Sequence, residues 1–342
     1  MDAGFFIVCD MRNIIVVFLL TASVIACTPV DNRKKIVLQG EAQGTYYAVT
    51  YYDSLNRDLQ FQIDSLLKAY DLSASNYVEN SIISKVNRNE AVTLDSIFTG
   101  NFLLSQKVSE QTGGDFDITV RPLVELWGFG KKKRGEVTPE MVDSVMAFTG
   151  YKKVRLENGR IVKDDPRIKL DFNAVAQGYS VDVVAAYLKS LGINDFLVDI
   201  GGEVYASGTK PLGQKWKVGI ERPKDNEKYG ESLSAKVSLQ NKGMATSGNY
   251  RKFYVKNGVK YSHTIDPHTG YPARRNILSA TIIAADAAHA DAYATACMVM
   301  GIEKAKAFLE NHPELEAFLI YSDEDGDFKY YSKGLENTLV PN

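Results

Sequence analysis

The order in which helix-like and strand-like segments follow one another most constrains the fold of this chain. Helical periodicity is found at 60–70, 96–112, 139–148, 176–191 and 289–300. Alternation of apolar and polar residues predicts strands near 152–156, 197–206, 215–221, 234–240, 261–265 and 279–285. The two kinds of segment do not alternate regularly, as a doubly wound parallel sheet would require. We therefore predict an α+β fold, built as a single mixed domain of two closely packed lobes.

Composition excludes some classes of protein. The chain has 342 residues, a hydrophobic content of 45% and a formal net charge of −2, which are ordinary values for a globular protein. A near-neutral charge does not provide the basic surface of a nucleic-acid-binding protein. The KKKR run at 131–134 is predicted to be a solvated loop, with contact to anionic lipid or to an acidic partner as the alternative.

The N-terminus has the pattern of a lipoprotein signal peptide. Met11 and Arg12 precede an apolar run that ends in VIAC, so residues 1–26 are predicted to be removed and Cys27 to be lipidated. The run is shorter than the ~20 residues that a spanning helix needs, which favours this interpretation over a transmembrane anchor. The two aspartates before Met11 do not fit the basic start of a signal peptide, which indicates that translation starts at Met11. We expect residues 27–35 to be a lipidated tether and 36–340 to be the folded domain of an exported protein.

Polar residues are concentrated in SHTIDPHTGYP, at 262–272. A buried strand has no packing reason to hold Ser262, His263, Asp266 and His268 so close together, and this density of hydrogen-bonding groups indicates a ligand. The alternative is a polar hairpin whose side chains satisfy one another.

A carboxylate and a hydroxyl are spaced one helical turn apart in HADAYATA, at 289–296. Asp291 and Thr295 would share a helix face, and two oxygen ligands at that spacing suit a hard cation such as phosphate-bound Mg²⁺. The alternative is an aspartate that stabilises a helix N-terminus and a threonine bonded to its own helix.

A third segment, DFNAVAQGYS at 171–180, leads from an apolar stretch into an amphipathic helix. Asp171 stands at the turn before this helix, where unpaired backbone groups are available to ligands. A carbonyl oxygen in such a turn can bind a metal, and Ala174 is the expected donor.

These segments stand in a series that resembles the FAD:protein FMN transferases, the ApbE family, over nearly the whole mature chain. The series consists of QGTYY from Gln43, SNYVENSIISKVN around Tyr77, GGDFDITVRPLVELWGFG from Gly113, DFNAVAQGYSVD from Asp171, LVDIGGEVYASG from Leu197, WKVGIERP from Trp216, MATSGNYRKF from Met244, HTIDP and ADAYAT. Each motif alone is weak, whereas their shared order is specific. The resemblance implies an ApbE-like, T-fold-like α+β architecture.

The resemblance also implies an activity and a set of site residues. The enzyme would be Mg²⁺-dependent and would split FAD, transferring the FMN half through its phosphate to a threonine hydroxyl of a partner protein and releasing AMP. His263 would handle the proton in catalysis. The metal ligands would be Asp291, Thr295 and the carbonyl of Ala174. The FAD site would be lined by Gln43, Tyr77, Asp115, Phe116, Asp117, Asp171, Gln177 and Ile265, with Tyr77 and Phe116 as walls for the flavin.

Three positions depart from the usual family pattern. Gln177 stands where many members have lysine, Gln43 where many have methionine, and Ala294 where some have a further carboxylate. We therefore expect modest Mg²⁺ affinity and a greater reliance on the metal for neutralising the phosphates. An FAD pyrophosphatase that forms FMN and AMP shares the predicted site residues, so the sequence does not separate it from the transferase. A flavin-binding lipoprotein without turnover is the second alternative, and the presence of Asp171, Asp291, Thr295 and His263 argues against it.

The resemblance finally implies partners and a location. The acceptors would be flavoprotein subunits of a membrane redox complex, and the acylated Cys27 would insert in membrane lipid. The enzyme would then be a periplasm-facing, lipid-anchored protein of the bacterial cell envelope.

Overall fold

The computed structural model describes residues 32–129, 136–222, 233–248, 253–256, 259–262, 264–336 and 339–340. The predicted signal peptide, Cys27, the basic run at 131–134 and His263 lie outside these residues. The chain divides into two units, Met1–Asn32 and the compact unit Arg33–Asn342.

Fifteen strands are found in the described residues. They are β1 (Lys34–Ala42), β2 (Thr45–Asp53), β3 (Val154–Glu157), β4 (Arg160–Lys163), β5 (Phe196–Ile200), β6 (Glu203–Ser207), β7 (Trp216–Glu221), β8 (Leu233–Leu239), β9 (Lys242–Gly248), β10 (Phe253–Lys256), β11 (Val259–Ser262), β12 (Ile277–Ala284), β13 (Glu316–Ser322), β14 (Phe328–Lys333) and β15 (Leu339–Val340). Eight of them form one antiparallel sheet in the order β1-β2-β5-β6-β9-β12-β13-β14.

Eight α-helices accompany the strands in the same part of the chain. They are α1 (Gln60–Ala74), α2 (Ile82–Asn87), α3 (Ser96–Gln111), α4 (Arg121–Leu126), α5 (Pro139–Met146), α6 (Ala176–Ser190), α7 (Ala287–Met300) and α8 (Ile302–Glu310). The predicted α+β class is confirmed, and the five predicted helices correspond to α1, α3, α5, α6 and α7. None of the helices in the described residues combines the length and apolar character that spanning a bilayer requires.

The first hairpin corrects the predicted start of the folded domain. Strand β1 begins at Lys34, within the segment 27–35 that was expected to be a tether. Strand β1 pairs residue by residue with β2, from Lys34 opposite Asp53 to Ala42 opposite Thr45. Backbone hydrogen bonding along the whole of β1 therefore brings the start of the domain forward to Arg33, where the compact unit begins.

The large sheet is buried on both faces. On one face, Val49 and Val198 pack with Ile63 of α1 and Leu188 of α6. On the other face, residues of β6, β9, β12 and β13 pack against a small sheet of β7, β8 and β15 that includes Trp216. Apolar burial against two layers supplies the main driving force for such an architecture.

The register of β1, β2, β5 and β6 defines two ends of the sheet. The proximal end is where Lys34 pairs with Asp53 and where Phe196 pairs with Ser207. The distal end holds the β1–β2 turn and the β5–β6 turn, in which Ile200 pairs with Glu203. The nine residues of β2 separate the two ends by about 26 Å.

Candidate active site

The loop before α6 is organised around the carboxylate of Asp171. This buried side chain has Oδ2 3.2 Å from Nη1 of Arg121, and its Oδ1 accepts hydrogen bonds from Nδ2 of Asn76 at 3.1 Å and from the N–H of Asn173 at 3.0 Å. Burial raises the pKa of Asp171, and the charge of Arg121 opposes that rise. The carboxylate therefore holds the loop in shape, and Arg121 and Asn76 fix its position.

Asp291 reaches from α7 to the first turn of α6. Its Oδ2 accepts a hydrogen bond from the N–H of Gly178 at 3.1 Å. In a regular helix that N–H would donate to the carbonyl of Ala174, four residues earlier. The described residues show no hydrogen bond to this carbonyl, so its oxygen is available to another partner. Burial raises the pKa of Asp291 to about 7.

The hydroxyl of Thr295 faces strand β9. Thr295 lies one turn after Asp291 on α7, and its Oγ1 is 3.2 Å from Oγ of Ser247. Each hydroxyl has one proton and two lone pairs, so Ser247 can accept the threonine proton and leave a threonine lone pair for a cation.

The oxygen set offered by Ala174, Asp291 and Thr295 is compatible with Mg²⁺. Within the described ranges, no group of three or more His, Cys, Asp or Glu side chains could hold a metal ion. One carboxylate, one carbonyl and one hydroxyl suit a hard cation that completes its octahedron with water and substrate phosphates. Ala294 is buried and adds no side-chain oxygen. The unsatisfied carbonyl of Ala174 is the observation that favours this fit.

The predicted site residue Gln43 occupies the tight turn of the first hairpin. Gln43 and Gly44 both have positive φ, 55° and 74°, as in a two-residue type I′ turn. Oε1 of Gln43 lies 3.3 Å from Oγ of Ser180, whereas its buried Nε2 has no hydrogen-bond partner among the residues that the structure describes. A buried N–H left unpaired costs roughly 1–3 kcal/mol. This amide is therefore a candidate contact for a ligand atom.

Gln177 meets the same end of the sheet from α6. The backbone carbonyl of Gln177 accepts a hydrogen bond from Oγ of Ser180 at 2.8 Å. Its amide lies against Gly201 in the β5–β6 turn, where φ is +66° and an added Cβ would clash with that amide nitrogen. The structure thus brings Gln43 and Gln177 together at the distal end, through Ser180.

Two of the residues at 115–117 have structural contacts of their own. Oδ1 of Asp117 accepts hydrogen bonds from the N–H and the hydroxyl of Thr119, both at 2.6 Å, and Oδ2 accepts one from the N–H of Tyr151 at 2.7 Å. Burial raises the pKa of Asp117. Phe116 is only 2% exposed and packs in the largest core cluster. Its ring is therefore not an open flavin wall, and its backbone is the part left for a ligand.

Asp115 is a buried carboxylate between the imidazole of His268 and the ammonium group of Lys304. Its Oδ1 lies 3.1 Å from Nε2 of His268, and its Oδ2 lies 2.6 Å from Nζ of Lys304 on α8. Both partners are about half exposed, whereas Asp115 is 3% exposed. The carboxylate therefore connects the 113–117 segment to the turn after residue 264 and to α8.

Tyr77 is an exposed aromatic residue beside the loop before α6. Its side chain is 62% exposed, and its hydroxyl lies 3.5 Å from Nδ2 of Asn173 in the loop before α6. An exposed ring beside that loop can stack on a flavin or an adenine.

The turn at 264–273 uses much of its polar density internally. Ile265 is buried and pairs with Pro272. Asp266 accepts a hydrogen bond from the N–H of His268 at 2.9 Å and another from Nη2 of Arg275 at 2.9 Å. The density of polar side chains here predicted a ligand. Part of that density is explained by hydrogen bonds that these side chains make within the turn.

Five residues that contact the predicted site have no predicted role in the sequence analysis: Asn76, Arg121, Ser180, Ser247 and Lys304. Four of them stand inside motifs of the ordered series, so their position in those motifs is the signal that could have found them. Lys304 stands outside every motif, and only the packing of α8 brings it to Asp115.

Comparison with known proteins gives a consistent assignment. The ApbE family profile matches residues 43–319. A FAD:protein FMN transferase of Vibrio cholerae is 33% identical over 315 residues, covering 90% of this chain and 93% of the relative. One of Haemophilus influenzae is 33% identical over 328 residues, covering 91% and 93%, and one of Escherichia coli K12 is 32% identical over 316 residues, covering 89% of each.

Solved structures show the same similarity. The flavin transferase ApbE from Vibrio cholerae superposes with a TM-score of 0.79 at 33% identity, covering 88% of this chain and 98% of that one. The apo form of Pseudomonas stutzeri flavinyl transferase ApbE gives a TM-score of 0.80 at 31% identity, covering 89% and 96%. On the shared motifs, the shared fold and the profile match, the chain belongs to the ApbE family.

Proposed function

We propose that this chain is a Mg²⁺-dependent FAD:protein FMN transferase that modifies a threonine of a partner protein and releases AMP. The contact of Asp291 with the first turn of α6 carries the proposal, because it joins the carboxylate to the loop whose Ala174 carbonyl has no partner in the described residues. The transferase activity of the relatives supports the choice of reaction.

The reaction exchanges the phosphoanhydride bond of FAD for a phosphate ester bond to threonine. The threonine oxygen of the acceptor attacks the phosphorus on the FMN side of the FAD diphosphate. The bond from this phosphorus to the bridging oxygen breaks, and AMP leaves with that oxygen. His263, a residue that titrates near neutrality, would accept the threonine proton. Positioning and electrostatics are expected to supply most of the rate.

The residues of the site divide the remaining work. Mg²⁺, when bound, would neutralise charge on the diphosphate, and Ala174, Asp291 and Thr295 would hold it. Gln43 and Gln177 would hydrogen-bond the nucleotide at the distal end, and Tyr77 would stack on a ring. Asp171 and Asp117 would act through the loops that they brace. Ile265 would make an apolar contact with FAD, and Phe116 would contact it through its backbone.

The first experiment is mass spectrometry of an acceptor domain that carries a threonine target, incubated with the full-length chain in detergent, FAD and Mg²⁺. We expect the acceptor to gain the mass of one FMN, and Asp291→Asn to abolish the gain. Glu303→Gln is the matched control, because the Glu303 side chain is 87% exposed on α8. Release of FMN and AMP without modification of any acceptor would instead establish an FAD pyrophosphatase, and intact bound FAD would establish a binding protein.

We further propose that the protein is lipidated at Cys27 and modifies flavoprotein subunits of a membrane redox complex in the bacterial envelope. The signal-peptide pattern before Cys27 supports the anchor. Intact-mass measurement of the protein purified from membranes should show a chain that starts at Cys27 and carries acyl groups. A chain that retains residues before Cys27 would contradict this proposal.

A further inference from the structure

Two loop tips at the proximal end expose leucine side chains to an unusual degree. Leu212, in the β6–β7 loop, is 94% exposed and has a φ of +63°, which non-glycine residues rarely adopt. A short pairing of Lys210 with Gln214 closes this loop, with the Lys210 N–H 2.8 Å from the Gln214 carbonyl oxygen. Leu55, in the β2–α1 loop, is 70% exposed. Both tips present an apolar side chain that the fold does not bury.

Both loops adjoin the point where the compact unit begins. Leu55 follows Asp53, the residue that pairs with Lys34 at the start of β1. Asp195 forms an ion pair with Arg33, and its Oδ1 accepts a hydrogen bond from the N–H of Thr209 at 2.7 Å. The base of the Leu212 loop is therefore connected to Arg33 through a single aspartate.

The charges around these tips favour an anionic surface. Two carboxylates beside the tips are paired, Asp195 with Arg33 and Asp53 with Arg57, whose Nη2 lies 2.9 Å from Oδ1 of Asp53. A third, Asp58 in the Leu55 loop, is exposed and accepts a hydrogen bond from the N–H of Gln60 at 3.0 Å. Cationic side chains are added by Lys34 at the start of β1 and by Lys210 and Lys215 on either side of the Leu212 tip. Exposed leucines flanked by lysines are the pattern of a surface that enters the headgroup region of a membrane.

We propose that this surface, formed by Leu55, Leu212 and lysines 34, 210 and 215, contacts the lipid bilayer. The inference rests on the lipidation of Cys27 proposed above, because the six residues from Cys27 to Arg33 span at most about 20 Å. An acyl anchor there keeps the start of β1 close to the membrane. The distal end, with Gln43 and the Asp291 site, then faces away from the lipid, and an acceptor threonine has to reach it from the aqueous side.

Depth-dependent quenching tests this orientation. The full acylated chain is purified with a single introduced cysteine, Leu212→Cys or Leu55→Cys, labelled with an environment-sensitive fluorophore and placed in vesicles of phosphatidylethanolamine and phosphatidylglycerol. Glu41→Cys is the matched control, because Glu41 is exposed on the same hairpin at the distal end. The native Cys297 is buried and does not compete for the label.

We expect quenchers on the lipid chains to reduce the emission at positions 212 and 55 several-fold more than at position 41. Equal quenching at the three positions, or the strongest quenching at position 41, would overturn the proposal. Shielding of position 212 that appears without lipid as protein concentration rises would also overturn it, because a second copy would then be the occupant.

The intact mass of the same preparations separates a failed orientation from a failed anchor. If Cys27 carries no lipid, flotation with phosphatidylglycerol vesicles tests whether the proposed surface alone binds lipid. Leu212→Asp should then weaken binding about tenfold, the effect of removing one buried leucine, and absence of any binding would refute the surface. FMN transfer to a soluble acceptor should stay unchanged in every variant. A failure of the proposed transferase activity would therefore be detected separately from a failure of the lipid-contacting surface.

Discussion

At the scale of single residues, unsatisfied hydrogen-bonding groups give more information about function than the most polar motif does. Asp266 and Asp117 stand in conspicuous polar segments, yet their oxygens already accept hydrogen bonds within the protein, from the N–H groups of His268, Thr119 and Tyr151. The amide of Gln43 and the carbonyl of Ala174 are inconspicuous in the sequence, yet the described residues leave them without a partner. Buried polar groups are nearly always paired in folded proteins, so the buried amide of Gln43 is a candidate ligand contact, and the partly exposed carbonyl of Ala174 is open to a cation.

Gln43→Met should raise the stability of the ligand-free protein and weaken FAD binding. The substitution removes a buried N–H without a partner, which is worth roughly 1–3 kcal/mol, and removes the same hydrogen bond from the complex. Urea unfolding and flavin fluorescence titration measure the two effects. Gln39→Met, at an exposed position of β1 in the same hairpin, is the control and should change neither. Unaltered FAD affinity in Gln43→Met would show that this amide does not face the nucleotide.

Ser247→Ala should weaken Mg²⁺ binding while Ser247→Thr largely preserves it. The serine oxygen, 3.2 Å from Oγ1 of Thr295, is the group that can accept the threonine proton and so orient the hydroxyl. Loss of such a supporting hydrogen bond typically reduces metal affinity by about 10-fold or more. Calorimetric titration with Mg²⁺ measures the affinity. Electron paramagnetic resonance spectra of bound Mn²⁺ check the ligand set. Equal affinity in the alanine and threonine variants would contradict the role of Ser247.

At the scale of elements, the crossing of α6 and α7 builds the site. Asp182 of α6 accepts hydrogen bonds from the N–H groups of Ala287 and Ala288 at 3.0 and 2.8 Å, which ties the start of α7 to α6. One turn earlier on α6, Gly178 meets Asp291. Burial and the nearby Asp286 raise the pKa of Asp182 to about 7. The close approach of the two helices therefore depends on small residues and on buried carboxylates.

Gly178→Ala should separate the two helices and reduce activity far more than stability alone explains. An added Cβ would clash with the carbonyl oxygen of Ala287 and would lie 2.8 Å from Cβ of Asp291. We expect overpacking to cost about 1–3 kcal/mol and Mg²⁺ affinity to fall with it. Ala186→Gly, on the exposed side of α6, is the control, since it costs about 1 kcal/mol through helix propensity and leaves α7 in place. Comparable losses of affinity in both variants would refute this account.

At the scale of the whole molecule, the large sheet separates the candidate site from the surface proposed to contact lipid. The distal end carries the glutamines of the candidate site, and the proximal end carries the start of the domain and the exposed leucines. Buried carboxylates near α7 add a cost to the stability of the entire domain, because their folded-state pKa values lie above those of an unfolded chain.

Stability without Mg²⁺ should fall as pH rises from about 4 to 7. The pKa of Asp291 is about 7 in the folded protein against an ordinary aspartate value of 3.8, so between these pH values the folded state holds a proton that the unfolded state has lost. Asp291→Asn should flatten this dependence and add on the order of 1–3 kcal/mol of stability at pH 8. Urea unfolding across the pH range measures it. A slope unchanged by the substitution would mean that the carboxyl is ionised throughout.

The sequence by itself determined the class of fold and the five main helices, because helical periodicity is a local property. Its motifs indicated the residues that would bear the chemistry, and that assignment stays a prediction. The sequence did not predict β1 and β2, since tyrosines fill both faces of β2 and hide its alternation, nor the apolar β13, which periodicity cannot distinguish from a buried helix.

Only the tertiary structure decided how the candidate residues are used. The ring of Phe116 is in the core, Asp171 is bound by Arg121 and Asn76, and Lys304 reaches Asp115 from an element with no motif. These outcomes depend on which groups meet across long stretches of chain. Burial and hydrogen-bond pairing are properties of the packed molecule, and no local pattern encodes them.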